Sequence, residues 1–223
     1  MTPSRPTPAA PSGAVRRLAL GLVLSLGLGL TADACARPAA TAETRARPIG
    51  IPSLPHTAAD VHFMSGMIHH HAQAVLIARW APTHGASAEL QRLAERIVVG
   101  QNDEIALMQN WLRERGEPVP DGTPGPMKMK MDGMEHEMLM PGMLTADQLA
   151  QLDRARGAEF DRLFLRFMIQ HHEGAITMVN ELFGSPGAGQ DEVVFRFASD
   201  VYADQTTEID RMEKMLAARS QDA

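Results

Sequence analysis

The sequence predicts an all-α protein: a four-helix bundle with up-down-up-down order, formed by two duplicated helical hairpins. Three observations support this prediction. Apolar residues recur at spacings of three and four along the segments predicted as helices. Two of these segments share one motif, which indicates an internal duplication. Hydrophobic residues make up 44% of the chain but aromatic residues only 4%, which is typical of a core of aliphatic side chains and methionine.

The first hairpin is predicted over residues 57–116. Its first helix runs from Thr57 to about Ala81, because apolar residues keep helical spacing until Pro82 and Gly85 interrupt the pattern. Its second helix runs from about Ser87 to Arg115, with an apolar stripe that includes polar residues near its middle. Neither helix could bury its apolar stripe alone, so the hairpin needs a packing partner.

The second hairpin is predicted over residues 145–218. Its first helix begins at Thr145, which is followed by Gln148 at the spacing of a capping box. Gly157 marks a predicted break in this helical segment. The last helix runs from about Asp191 to Ala218.

The two hairpins repeat one another. The motif D-x-x-F-x-x-x-M-I-x-H-H occurs at residues 60–71 and again at 161–172. The motif Q-x-x-E-I-x-x-M occurs at residues 101–108 and again at 205–212. Two hairpins that each expose one apolar stripe can bury both stripes by packing together as a four-helix bundle.

The repeated polar residues are candidate metal ligands. Each copy has two adjacent histidines with a methionine one turn earlier, and the following helix carries a glutamine and a glutamate in its apolar stripe. A buried carboxylate needs a partner, which a histidine or a metal ion across the bundle would supply. The candidate ligands are His70, His71, His171, His172, Met67, Met168, Glu104 and Glu208.

Two interpretations of these residues remain open. They could bind a metal ion, or they could form a buried polar network that fixes the register of the helices. Adjacent histidines in both hairpins favour metal binding, because setting the register requires fewer groups. Since neighbouring helix positions diverge by about 100°, one histidine of each pair can face the bundle axis and the other a flank. His69 corresponds to Gln170 in the second copy and is predicted to face solvent.

A second candidate metal region lies in a predicted methionine-rich loop at residues 117–143. Thioether sulfur is a soft ligand that favours Cu(I) over zinc or magnesium, and M-x-M spacing lets one flexible chain wrap several sulfurs round an ion. The alternative is an amphipathic segment that docks its methionines on the bundle. The candidate residues are Met127, Met129, Met131, Met134, His136, Met138, Met140 and Met143.

The N-terminal region is predicted to direct export. Arg16 and Arg17 precede the apolar run Leu18–Leu30, and small residues follow it, so residues 1–34 have the form of a signal peptide. Residues 35–56 are predicted to be a disordered linker. Cys35, the only cysteine, follows a cleavage-like sequence and could instead carry a lipid anchor. The formal net charge of −6 argues against a nucleic-acid-binding protein.

With its repeated F-x-x-x-M-I-x-H-H-x-x-A and Q-x-x-E-I-x-x-M motifs, the chain resembles the DUF305 family over residues 57–218. The resemblance implies a ferritin-like four-helix bundle in an exported bacterial protein, and some family members are associated with copper. The chain departs from the di-iron pattern of ferritin-like proteins, because no carboxylate precedes any repeated histidine by three residues. The ligand set is poor in carboxylates and rich in sulfur, which favours a softer metal.

We therefore predict an exported, periplasmic or extracellular protein that binds Cu(I) or Cu(II) and acts in copper sequestration, transfer or tolerance rather than as an enzyme. The metal ion would be its principal partner, with a copper transporter or chaperone as a recipient. Contact with the membrane would require the lipid anchor at Cys35. Two alternatives remain: a cuproxidase-like, metal-dependent oxidoreductase, and a structural or interaction bundle.

Overall fold

The computed structural model describes residues 56–131 and 134–221, so the predicted signal peptide and nearly all of the predicted linker lie outside the described residues. The described chain is mostly helical, as the sequence predicts. The helices are α1 (Ala58–Ala78), α2 (Ala88–Glu114), α3 (Ala146–Arg154), α4 (Ala158–Gly184) and α5 (Glu192–Gln221). Two short strands, β1 (Met127–Met131) and β2 (Met134–Met138), lie between α2 and α3.

Local capping explains where several helices begin. Thr57 and Asp60 form a capping box at the start of α1, in which each side chain accepts a hydrogen bond from the backbone N–H of the other. The predicted capping box of Thr145 and Gln148 is confirmed at the start of α3. The predicted break at Gly157 is also confirmed, because this residue has a φ of +56° and separates α3 from α4.

The predicted up-down-up-down order is wrong in the direction of the second hairpin. The N–H of Gly189, beyond the end of α4, donates to Asp60 at the start of α1 at 2.7 Å. The N–H of Gly157, before α4, donates to the carbonyl of His84, beyond α1, at 2.9 Å. Therefore α4 runs antiparallel to α1 and parallel to α2, which gives up-down-down-up order. The connection between α2 and α4 carries two strands and α3, and it is long enough to return the chain to the end where α2 begins.

The methionine-rich segment is not a loop throughout, since β1 and β2 pair as an antiparallel hairpin, which we call the Met hairpin. The alternation of methionine with charged residues has the period of a strand. Met127 pairs with Met138, Met129 with His136 and Met131 with Met134, whereas Lys128 pairs with Glu137 and Lys130 with Glu135. Paired residues share one face of a hairpin. One face therefore holds the methionine and histidine positions, and the other holds the lysine–glutamate pairs.

A short segment after the Met hairpin, Met140–Leu144, crosses α1 and α4; we call it the strap. Gln73 of α1 bonds both backbone groups of Leu144, donating to its carbonyl at 3.0 Å and accepting from its N–H at 2.6 Å. Gly174 permits the crossing, because a Cβ atom there would lie 2.0 Å from the Pro141 carbonyl oxygen. Met140 and Met143 are buried in the strap, so these two methionines dock on the helices.

Two apolar clusters make up the core, one toward each end of the four long helices. The first includes Phe63, Met67, Met108, Trp111, Met140, Met178 and Val201. The second includes Ile77, Leu93, Ile97, Phe164, Met168, Met212 and Met215. Along each long helix the two clusters are separated by polar residues, so the core is interrupted at mid-height. None of the helices formed by the described residues is both long enough and apolar enough to cross a membrane.

Candidate metal centre

A layer of polar side chains crosses the core between the two apolar clusters, and all four long helices contribute to it. We call it the polar layer; its members are His70, His71, Gln101, Glu104, His171, His172, Gln205 and Glu208. The four histidines have no solvent-exposed surface. The structure therefore brings together the repeated histidines and glutamates that the sequence singled out, although they come from helices far apart in the chain.

His70 and His171 meet at the centre of the polar layer, where α1 crosses α4. Their ring centroids are 3.8 Å apart, with the planes tilted by 37°. The other histidine of each pair points elsewhere, since His71 and His172 lie more than 6 Å from these rings along their own helices. The inward histidines are thus the first of each repeated pair.

His71 and His172 each contact a glutamate of the neighbouring antiparallel helix. Nε2 of His71 lies 2.7 Å from Oε2 of Glu104, and Nε2 of His172 lies 2.7 Å from Oε2 of Glu208. The second contact is a hydrogen bond, whereas the first has the same length but not hydrogen-bond geometry. The matching pairs reflect the duplication. Each glutamate side chain keeps about a quarter of its surface exposed, at 23% and 24%.

The partners of these rings indicate which nitrogen carries the lone pair. Nε2 of His70 lies 3.0 Å from the carbonyl oxygen of Pro141 in the strap. A carbonyl oxygen only accepts, so this nitrogen donates its hydrogen and leaves Nδ1 as the acceptor in the neutral ring. The same reasoning applies to His172, whose Nε2 donates to Glu208. Among the described residues, both nitrogens of His71 and of His171, and Nδ1 of His70 and of His172, have no hydrogen-bond partner.

The two central histidines are held in the neutral form. Burial, and then the nearby His71, lower the pKa of His70 well below its ordinary value. Burial, and then the neighbouring His70, lower the pKa of His171 in the same direction. Neutral imidazole is the form that binds metal ions. The core therefore supplies uncharged nitrogen donors at neutral pH.

The remaining members of the polar layer face an open cavity between α2 and α5. Gln101 and Gln205 line this cavity together with Glu104, Glu208 and Asp204. Burial, and then the negative charges of Glu104 and Glu208, raise the pKa of Asp204 above its ordinary value. The carboxylates of this cavity are therefore close enough to repel one another.

Methionine sulfurs border the polar layer on both sides. Met67 belongs to the first apolar cluster and Met168 to the second, and both are completely buried. Met140 also approaches α1 closely, because a Cβ atom built on Gly66 would lie 2.7 Å from its sulfur. In contrast, His136, Met134 and Met138 of the Met hairpin are exposed. The methionines of the predicted second metal region thus divide into an exposed hairpin group and a buried strap group.

These residues fit a soft metal better than a hard one. Buried imidazole nitrogens without partners, next to buried thioethers, suit Cu(I). Within the described residues, no three His, Cys, Asp or Glu side chains are arranged to hold one ion. An ion bound in the polar layer would therefore draw on thioether sulfur as well as imidazole, with His70, His171, Met67 and Met168 as the buried donors.

The sequence interpretation missed the strap and the residues that hold it. Gln73, Gly174 and Pro141 were not singled out, although each positions the strap over the polar layer. A signal was present in the repeat, since Gly174 occupies the position that Gln73 occupies in the first copy. His69, predicted to face solvent, is half-buried, and its Nδ1 lies 3.0 Å from the carbonyl oxygen of Thr123.

Comparisons with known proteins agree with this architecture. The family model for DUF305, a domain of unknown function, matches residues 60–216. No curated protein matches the chain. A crystal structure of a DUF305 protein from Streptomyces coelicolor, described there as secreted, is 29% identical, with a TM-score of 0.60, and the match covers 73% of this chain and 94% of that one. A DUF305 fragment from Deinococcus radiodurans is 27% identical, with a TM-score of 0.61 and coverage of 74% and 99%.

CopM is a further similar protein of known structure. Its Cu(II)-bound form is 27% identical to this chain, with a TM-score of 0.53, and the match covers 71% of this chain and 96% of CopM. Structures of CopM with Cu(I) and with silver match to a similar degree. The matches to these three proteins cover 71–74% of this chain.

Proposed function

The chain belongs to the DUF305 family, and we propose that it is an exported protein that binds copper and sequesters it or passes it on. The ion would be its cargo, held by the buried nitrogen and sulfur atoms of a ferritin-like bundle formed by α1, α2, α4 and α5. The Met hairpin would be a second binding region that captures Cu(I) at the surface.

The observation that carries this proposal is the set of buried imidazole nitrogens without partners. Leaving a polar atom buried and unpaired costs about 1–3 kcal/mol, so such atoms in a core call for an explanation. At the centre, both nitrogens of His171 and Nδ1 of His70 lack a partner among the described residues. A copper ion bound by these atoms would remove that cost, whereas a network that only fixed the register would pair them with one another.

The glutamates act in this proposal through the histidines. Glu208 accepts from Nε2 of His172, and Glu104 contacts His71 in the matching place. A carboxylate on one ring nitrogen fixes the tautomer and makes the other nitrogen a better ligand. Glu104 and Glu208 are therefore proposed as groups that orient the imidazoles, with Nδ1 of each ring as the metal-binding atom.

The Met hairpin would supply the soft donors at the surface. Its register places methionine opposite methionine at two positions and methionine opposite histidine at a third. Cross-strand partners on one face are close neighbours, so the sulfurs of Met127 and Met138 can bind the same ion. Met140 of the strap follows this hairpin in the chain, and its sulfur lies against α1 next to Gly66.

The comparison with CopM supports copper as the metal. CopM, which is 27% identical to this chain, has been crystallised with Cu(II), with Cu(I) and with silver. Silver is a soft ion, so its binding is consistent with the sulfur-rich ligand set of this chain. The similar Streptomyces coelicolor protein, described as secreted, supports export. A lipid anchor at Cys35 and a copper transporter or chaperone as recipient are parts of the proposal that rest on the sequence alone.

Metal analysis and Cu(I) titration of the purified protein, under anaerobic conditions with a competing chelator, test this proposal. The wild-type protein is expected to bind Cu(I), and replacing His70, His71, His171 and His172 by glutamine is expected to abolish the buried part of that binding. His84 provides a matched control, because it is a buried histidine whose two ring nitrogens already contact Thr83 and Asp153. Its replacement is expected to lower stability but leave the copper titre unchanged.

The titration also separates binding from catalysis. A binding protein saturates at a fixed ratio of copper to protein, whereas a cuproxidase consumes oxygen as it oxidises Cu(I) through repeated turnovers. The buried site would be contradicted if the wild-type protein bound no copper. It would also be contradicted if the four-histidine variant, in which the Met hairpin is intact, had the same copper titre as the wild type.

A further inference from the structure

The cavity between α2 and α5 has a different chemistry from the histidine core. Its volume is about 310 Å³ and its walls come from these two helices alone. Its possible metal-binding atoms are oxygens of Glu104, Asp204 and Glu208 and of the side-chain amides of Gln101 and Gln205, and its polar lining also includes Thr207, Arg96 and Arg211. It contains no sulfur or imidazole among its lining residues. Oxygen donors select hard divalent cations, whereas the thioethers of the core select soft ones.

Two buried glutamines point to a ligand in this cavity. Gln101 is 4% exposed and Gln205 is 3% exposed, and both line the cavity. Among the described residues, Oε1 and Nε2 of Gln101 and Oε1 of Gln205 have no hydrogen-bond partner. Buried amides are normally paired with protein or ordered solvent. A hydrated cation would satisfy the two amide oxygens, because its water molecules donate hydrogen bonds to them and its charge attracts them.

The carboxylates of the cavity form no ion pair with an arginine that the structure describes. Glu104 and Glu208 use Oε2 for His71 and His172, which leaves Oε1 of each glutamate. Arg96 and Arg211 line the same cavity, yet neither guanidinium lies within ion-pair distance of a described carboxylate.

A glycine opens the cavity where the repeat would otherwise carry a side chain. Gly100 in the middle of α2 corresponds to Asp204 of α5 in the duplicated motif, one residue before each glutamine. Glycine inside a helix costs about 0.5–1 kcal/mol relative to alanine. No atom lies within 4 Å of a Cβ atom built on Gly100, so close packing does not require glycine there. The missing side chain instead leaves space beside Gln101.

We propose that the cavity between α2 and α5 is a second cation site, which binds a hydrated hard divalent cation such as Mn²⁺ or Mg²⁺ through Glu104, Asp204, Glu208, Gln101 and Gln205. The ion keeps part of its water shell, since no three acidic or histidine side chains among the described residues converge on one point. Magnesium-like ions commonly bind in this way, through one or two carboxylates and several waters. The site is separate from the copper-binding atoms but shares Glu104 and Glu208 with the groups that orient His71 and His172.

The test is a titration of Mn²⁺ alone into metal-free protein, with the free ion measured by electron paramagnetic resonance. The wild-type protein is expected to bind Mn²⁺, and Asp204→Asn is expected to weaken binding about tenfold or more. The matched control is Asp200→Asn, which removes the same charge from an exposed position on the same helix outside the cavity. Asp204 is exposed too, so the two variants differ in whether the lost carboxylate lines the cavity, and Asp200→Asn is expected to keep an affinity near that of the wild type.

A second variant tests the cavity rather than the charge. Gly100→Leu is expected to fold, because its side chain enters open space, and to weaken Mn²⁺ binding by occupying that space. Wild-type protein that leaves Mn²⁺ free, an equal effect of Asp200→Asn and Asp204→Asn, or unchanged affinity in Gly100→Leu would overturn the proposal.

The Cu(I) titre of Asp204→Asn distinguishes this site from the proposed function. An unchanged titre is expected, because Asp204 is not among the proposed copper ligands. A variant that lost Mn²⁺ and Cu(I) together would place copper itself in the cavity and overturn a separate hard-cation site. Failure of Mn²⁺ binding with normal Cu(I) binding would overturn this inference alone and leave the proposed copper function standing.

Discussion

The imidazole rings of His70 and His171 face each other where α1 crosses α4, with centroids 3.8 Å apart. Both rings are fully buried, and burial is the main cause that lowers the pKa of each. A pair of neutral imidazoles in contact is a polar group at the centre of an otherwise apolar core. Because both rings stay neutral when buried, they make the stability of the metal-free protein depend on pH, and they offer nitrogen atoms to a metal ion in the core.

The metal-free protein is expected to lose stability in acid. Below about pH 6.5 the unfolded chain protonates these histidines, whereas the folded protein keeps His70 and His171 neutral. Protons therefore favour the unfolded state, and the free energy of unfolding falls as the pH drops, by up to about 1.4 kcal/mol per pH unit for each histidine. Urea unfolding at about pH 7.5 and about pH 5.5 measures this change. The variant His70→Gln/His171→Gln should show a shallower dependence; an equally steep one would contradict the prediction.

Gly174→Ala is expected to destabilise the protein by about 1–3 kcal/mol. The new methyl group would meet the carbonyl oxygen of Pro141 at 2.0 Å, so the strap must move away from α4. Nε2 of His70 would then lose the carbonyl that it contacts at 3.0 Å. Gly100→Ala is the control, because nothing lies near its Cβ position and alanine favours helix by about 0.5–1 kcal/mol. Urea unfolding should give shifts of opposite sign; shifts of the same sign would show that the strap adapts.

Asp161→Asn is expected to cost about 1.5–3 kcal/mol, the range for a hydrogen bond to a charged group. Asp161 is 3% exposed and accepts from the N–H of Ser87 at 3.1 Å and from Arg219 at 3.0 Å, so it joins the starts of α2 and α4 to the end of α5. Glu192→Gln is the control, since its ion pair with Arg196 is exposed and such pairs contribute about 0–1 kcal/mol. Thermal and urea unfolding compare the two. Equal losses would mean that the buried carboxylate does not tie the helices together.

Glu208→Gln is expected to weaken Cu(I) binding about 10–100-fold, as is typical when a group that orients a ligand is changed. The carboxylate of Glu208 accepts from Nε2 of His172 at 2.7 Å. The neutral amide that replaces this carboxylate no longer attracts the N–H of His172 in the same way. Glu213→Gln serves as the control, because it removes the same charge from an exposed position on α5. Competition titration with a Cu(I) chelator provides the affinities. If both variants bind like the wild type, the glutamate has no part in the copper site.

Replacing Met134 and Met138 by leucine is expected to lower the number of Cu(I) ions bound without changing the melting temperature. Both side chains are exposed, so their sulfurs contribute little to the core. Leucine preserves size but removes the soft donor. Lys128→Gln/Glu137→Gln is the matched control on the opposite face of the Met hairpin. Equal copper titres in the two variants would exclude the hairpin as a binding region.

The candidate site was predictable from the sequence to the extent that it is repeated. Duplicated motifs identified the histidines and glutamates, and the structure gathers them in one polar layer. The Met hairpin was predicted as part of a loop, although its alternation of methionines and charges has the period of two paired strands. The strap was missed because it breaks the repeat. Gln73 and Gly174 occupy equivalent positions, but Gln73 bonds the strap and Gly174 leaves room for it.

By itself, the sequence determined the helices, the capping box at Thr145, the break at Gly157 and the duplication of the polar residues. These features depend on neighbours within a turn or two, so local spacing encodes them. Only the tertiary structure decided that α4 runs parallel to α2, that His70 meets His171, and that His71 and His172 turn to glutamates. Those choices depend on how distant helices pack, because adjacent histidines differ by about 100° in direction and the neighbouring helix determines what each one meets.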